Sequence, residues 1–175
     1  YVVGGYKHEC LNVDPEKLII NERFYETNMA YSLWCARHIL LKQDSKSEII
    51  ISYGDIIFEE KILKKLIKKT QGDIQICADK NFLAYWVARM LNPENDLESF
   101  SVNKNNGYIV DIGRKVKEIK VIEAQYIGLF KISSTYIRDF LKHYEMLLQM
   151  DNNNDKLSMT DLLQKIIEAG CKASP

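Results

Sequence analysis

Asp55 is the residue best placed to do chemistry. It closes the stretch Glu48-Ile49-Ile50-Ile51-Ser52-Tyr53-Gly54-Asp55, a β-branched run followed by a glycine and a carboxylate. In open α/β sheets, ligands bind just beyond the carboxyl ends of the strands. A carboxylate there suits magnesium, which takes one or two carboxylates and fills its other positions with water and phosphate oxygens. Gly-Asp after a strand also makes an ordinary turn, and Asp can cap the helix that follows. A second group surrounds a helix start in Asn21 to Trp34, where Asn28 and Ser32 are four residues apart and share a face. A helix N-terminus offers free N–H groups to an anion or a base edge, while capping by Thr27 or Asn28 accounts for the same residues structurally. Trp86 lies with Phe82 and Tyr85 near Arg89. Such an aromatic face either holds an ammonium group or packs into a core.

Other chemistry finds little support. His8, His38 and His143 do not cluster, and there is no G-x-S-x-G or Walker loop. Asp161 reads as part of a capping box in Ser158-Met159-Thr160-Asp161. The cysteines Cys10, Cys35, Cys77 and Cys171 are scattered, with no C-x-x-C pair, which fits reduced thiols in a cytoplasm. The 24 Lys+Arg balance 24 Asp+Glu, against a dedicated nucleic-acid binder, and no apolar run is long enough for a membrane span.

The elements that must position these residues follow from periodicity. Short strands are expected at the Tyr1–Tyr6 segment and at Leu18–Asn21, and one helix from Thr27 through Leu41. The Ile49–Ile51 run lacks alternation, the pattern of a central parallel strand covered on both faces. A helix over Phe58–Lys69, a strand over Gly72–Ala78 and a short helix over Phe82–Leu91 come next. A hairpin turns at Asn106-Gly107, and a strand spans Ala124–Ile132. Helices over Ser134–Met150 and Ser158–Ala169 flank the polar loop 151–155. This order predicts one three-layer α/β domain over residues 1–175, with a mixed, mostly parallel sheet.

Four stretches carry a resemblance, in order and over nearly the whole chain: NERFYETNMAYSLW from Asn21, IIISYGDIIF from Ile49, IEAQYIGLF from Ile122 and MTDLLQKIIEAG from Met159. They resemble nucleotidyltransferases of the choline-phosphate cytidylyltransferase type, and still more the nucleotidyltransferase domains fused to phosphoenolpyruvate mutase. The resemblance implies a Rossmann-like fold similar to that of sugar-1-phosphate nucleotidyltransferases. It also implies transfer of CMP from CTP to a small phosphate or phosphonate, such as phosphocholine or 2-aminoethylphosphonate, with release of pyrophosphate. By the same resemblance Asp55 is the catalytic, Mg2+-binding carboxylate. Asn28, Tyr31 and Ser32 approach the nucleotide, while Trp86, Glu123, Gln125 and Tyr126 border the acceptor. It leaves room for a homo-oligomer, for a sugar-1-phosphate acceptor, and for a non-catalytic nucleotide-binding relative. The family's glycine-rich triphosphate loop is expected before Tyr1 and its second metal-binding Asp beyond the helix ending at Ala169. Residues 1–175 alone are therefore expected to be incomplete at both ends and inactive.

Overall fold

The computed structural model describes residues 1–42, 46–116 and 118–175. Strands β1 (Val2–Gly4) and β2 (Leu18–Ile20) form a parallel pair, followed by helices α1 (Met29–Cys35) and α2 (Arg37–Lys42). Strand β3 (Ile49–Ser52), helix α3 (Glu60–Lys68), strand β4 (Ile74–Asp79) and helix α4 (Phe82–Arg89) come next. Strands β5 (Glu98–Val102) and β6 (Ile109–Lys115) make an antiparallel hairpin. Strand β7 (Gln125–Ile132), helices α5 (Ile137–Met150) and α6 (Met159–Glu168), and strand β8 (Ala173–Ser174) complete the order.

The helix expected from Thr27 is two helices. Asn28 is the N-cap of α1, its side chain accepting from the Met29 N–H. At the break, Ala36 closes the end of α1, and Arg37 Nη1 donates to the Trp34 carbonyl at 3.1 Å. That carbonyl is thus shared between the Arg37 side chain and the Ala36 N–H at the end of α1. The capping box at α6 is present as expected, with Ser158 and Asp161 each accepting from the other's backbone N–H.

Strand β3 departs from its expected place. It is the outer strand of the four-stranded sheet β3-β7-β4-β8 and pairs antiparallel with β7. Its burial alternates, and Ile50 keeps 39% of its surface exposed. The reason is long-range: β7 runs in reverse and inserts between β3 and β4, so no parallel neighbour touches β3 among the described residues. Strands β3, β4 and β8 still share one direction, with β7 alone reversed. The sheet is mixed, and mostly parallel in direction.

Alternation along β4 and β7 separates two faces. Ile74, Ile76, Phe130 and Ile132 join residues of α1, α5 and α6 in the main core. Gln75 and Lys131 are register partners and turn to the other face, where α3 lies. Lys131 is fully buried; its Nζ sits 3.0 Å from Glu48 Oε2 and donates to the carbonyls of Ile67 and Lys69 at the end of α3. The order is therefore helices, sheet, helix: a three-layer α/β fold. Helix α4 stands on a smaller cluster of Phe82, Leu97 and Ile122, with Trp86 packed against it. Among the described residues, all four cysteines are free thiols and no helix is long and apolar enough to cross a membrane.

Candidate active site

The carboxyl ends of β3 and β4 and the start of β7 meet at one edge of the sheet, because Ser52 pairs with Leu129 and Asp79 with Gln125. Asp55 stands exposed in the turn just after β3, and no ion pair engages it among the described residues. Tyr53 anchors that turn. Its N–H donates to the Gly128 carbonyl at 2.8 Å, and its ring meets Tyr126 edge-on at 5.7 Å and 84°. Burial pushes the Tyr53 hydroxyl up to about 12, with smaller pushes from the Glu98 and Asp55 carboxylates. Burial also lifts Tyr126 far above the usual tyrosine range.

Gly128 makes this arrangement possible. Its φ is +82°, and a Cβ there would lie 2.6 Å from the Tyr53 ring. Gly128→Ala is expected to destabilise the fold by about 2–4 kcal/mol, combining left-handed strain with overpacking. Thermal melting checks it; an unchanged midpoint would show that Tyr53 does not pack there.

Gln125, 4% exposed, works as a clamp. Its Oε1 accepts from the Glu98 N–H at 3.1 Å and its Nε2 donates to the Glu98 carbonyl, tying β7 to β5. The Glu98 backbone is thereby fixed, and the residue is half-buried. Burial raises its carboxyl pKa; the Thr160 hydroxyl and Lys115 oppose the rise, and Asp161 and Asp96 add to it. Neither Glu98, Tyr53 nor Gly128 sits in a pattern that marks it as functional in sequence; the pairing of β3 with β7 brings Tyr53 to Gly128, and the Gln125 side chain ties Glu98 of β5 to β7.

Of the other anticipated residues, Trp86 donates from Nε1 to Asp96 at 2.9 Å, and Arg89 lies 5.6 Å from its ring and 5.0 Å from that of Tyr85. The cation for this aromatic face is the protein's own. Glu123 is exposed, accepts from the Val102 N–H at 3.2 Å, and helps line a cavity of about 600 Å³ with Lys80, Lys104, Phe100 and Val102. Asn28, Tyr31 and Ser32 belong to a separate network. Asn28 Nδ2 donates to the Lys156 carbonyl at 3.3 Å, and Ser32 accepts from Asn21 Nδ2 at 3.1 Å. Arg23 lies 5.1 Å from the Tyr31 ring and donates to Asp155 at 2.7 Å. The structure joins these three to the 155–156 turn. No group of three or more His, Cys, Asp or Glu residues able to hold a metal is present among the described residues.

The fold is that of the α/β nucleotidyltransferases. It matches the inositol-1-phosphate CTP transferase from T. maritima with a TM-score of 0.63 at 18% identity. It also matches a Bacillus anthracis structure, described as a glucose-1-phosphate thymidylyltransferase in complex with sucrose, at 0.59 and 15%. Each match covers 90% of this chain and 54% of the other, so the chain spans about half the length of these structures. No family model matches. The chain is 37% identical over 177 residues to the CTP:phosphoglutamine cytidylyltransferase of Campylobacter jejuni subsp. jejuni, covering 95% of this chain and 69% of that protein. It belongs to the cytidylyltransferase type of nucleotidyltransferases.

Proposed function

We propose that this protein transfers CMP from CTP to the phosphate of a small phosphorylated amine, of the class that includes phosphoglutamine, phosphocholine and 2-aminoethylphosphonate. An acceptor phosphate or phosphonate oxygen attacks the α-phosphorus of CTP. The bond from that phosphorus to the bridging oxygen breaks, and pyrophosphate leaves with the electron pair. The observation that carries this reading is Asp55, an exposed carboxylate beyond the carboxyl end of β3 in a chain 37% identical to a cytidylyltransferase. Phosphoglutamine, the acceptor in that relative's name, bears an ammonium and a carboxylate, which supports an amine-bearing acceptor here.

Magnesium fits the exposed Asp55 carboxylate, since the ion binds through one or two carboxylates and keeps water and phosphate oxygens elsewhere. Asp55 would hold it, and when bound it supplies charge neutralisation at the phosphates. The rest of the protein's task is positioning, so no Ser-His-Asp arrangement is required.

The test is pyrophosphate release from CTP by the full-length natural protein, with phosphoglutamine, phosphocholine, 2-aminoethylphosphonate and glucose-1-phosphate as acceptors. Turnover with at least one of the first three, exceeding that with the sugar phosphate, is expected. A clear preference for the sugar phosphate overturns the acceptor class, and no pyrophosphate with any acceptor overturns the reaction.

A further inference from the structure

Away from the sheet edge that carries Asp55, a cavity of about 290 Å³ opens between α2 and α5. Its place follows from the topology. Strand β7 runs from the Asp55 edge to Ile132, which pairs with Ile49 at the far end of β3, and α5 begins just beyond, at Ile137. Helix α2 is the last element before β3 starts at Ile49. The two helices therefore meet in the half of the helical layer remote from Asp55.

The walls of this cavity combine apolar surface with an excess of positive charge. Trp34 and Leu141 supply the apolar part, while Arg37, Arg138 and Lys142 bring three cations against one carboxylate, Glu145. His38 adds a ring nitrogen that can donate. The chain as a whole balances 24 basic residues against 24 acidic ones, so the excess is local. Among the described residues, no ion pair engages Arg37, Arg138 or Lys142. Arg37 is nonetheless held in place, its guanidinium 4.8 Å from the Trp34 ring and its Nη1 donating to the Trp34 carbonyl. On α5 the charges work against the helix. Arg138 is its second residue, where the positive end of the helix dipole disfavours a cation and suits the neighbouring Asp139 instead. Arg138 and Lys142 are four residues apart and share a face, so they repel each other.

We propose that this cavity binds a phosphoryl anion, either pyrophosphate or the phosphate of a small monoester, which bridges α2 and α5. Guanidinium groups suit phosphate oxygens because their N–H groups donate as a planar fork, and Lys142 adds a compact charge. A cleft with poorly polar walls concentrates the field of such cations on a counter-ion. The volume lies at the lower end of the roughly 300–1,000 Å³ of small-molecule sites, which suits a compact ligand. The anion relieves the repulsion along α5 and ties it to α2, so binding stabilises the fold by mass action. None of this depends on the reaction proposed above.

Calorimetric titration and thermal melting of the full-length natural protein test the site. EDTA is present, so that no divalent metal recruits phosphates to Asp55. The probes are pyrophosphate, inorganic phosphate and CMP, at constant ionic strength set with chloride. The parent is expected to bind pyrophosphate or CMP with a Kd below about 1 mM and to melt higher in its presence. The double variant Arg138→Met, Lys142→Met is expected to weaken that binding by about tenfold or more and to lose the melting shift. Without ligand it is expected to melt at or above the parent, since it removes an unfavourable pair of charges. Lys142→Gln, the milder change, is expected to weaken binding by about threefold. Pyrophosphate binding without CMP binding assigns the free anion, and the reverse assigns the monoester. No saturable binding of either by the parent overturns the proposal, as does equal binding by the double variant. A double variant that melts well below the parent without ligand also overturns it, because the two cations would then be structural.

Discussion

Asp55→Asn is expected to cut CTP turnover on the order of a hundred- to a thousandfold while scarcely moving the melting temperature. The two halves of this expectation come from different facts. Asp55 is exposed and engages in no ion pair among the described residues, so the amide removes no structural bond. Surface changes of that kind usually stay within about 0.5 kcal/mol. On the function proposed above, however, its charge beyond β3 serves the metal and phosphates of the nucleotide, and an amide cannot replace a carboxylate toward a divalent cation. Raising magnesium should recover only part of the loss. A variant as active as the parent at the same magnesium demand would remove Asp55 from the reaction.

A second large effect is expected on stability. Lys131→Met should cost about 3 kcal/mol, measured by chemical denaturation. Methionine preserves much of the stem, so the loss is that of the ammonium. What it leaves behind is the Ile67 and Lys69 carbonyls at the end of α3, on the buried side of the sheet. Glu48 loses its partner too, but its side chain is 36% exposed and water can take over. Glu48→Gln should consequently cost under about 1 kcal/mol. Equal costs for the two variants would show that the ion pair, rather than the capping of α3, is what holds Lys131 in place.

The local elements were the legible part of this molecule. The capping box at Ser158, the hairpin at Asn106-Gly107 and the apolar stripe of α5 all depend on residues a few positions apart, and all read correctly. Strand β3 did not, because a β-branched run reveals an extended segment and not its neighbours. Whether Ile50 is covered depends on β7, which sequence alone cannot place beside it. The candidate site divides along the same line. Asp55 could be singled out because a glycine and a carboxylate follow the run directly. Glu98 could not, since its backbone is held by Gln125 from a distant segment. The Trp86 cluster drew attention as a cation site, yet Arg89, three residues along the same helix, lies over that ring. Helical spacing alone could have suggested that pairing.

The reversed strand β7 also sets the order in which the sheet can be built. Among the described residues, β3 has no partner but β7, and β4 pairs only with β7 and β8. As a ribosome delivers the chain, both earlier strands therefore emerge before β7, the strand that joins them among the described residues. Ile49 must wait about eighty residues for Ile132. Helices such as α3 can form meanwhile, but the layer they cover does not yet exist. Among the described residues, the completion of β7 is thus the event that joins β3 to β4, and strands left waiting for a late partner are what chaperones or neighbouring chains can capture.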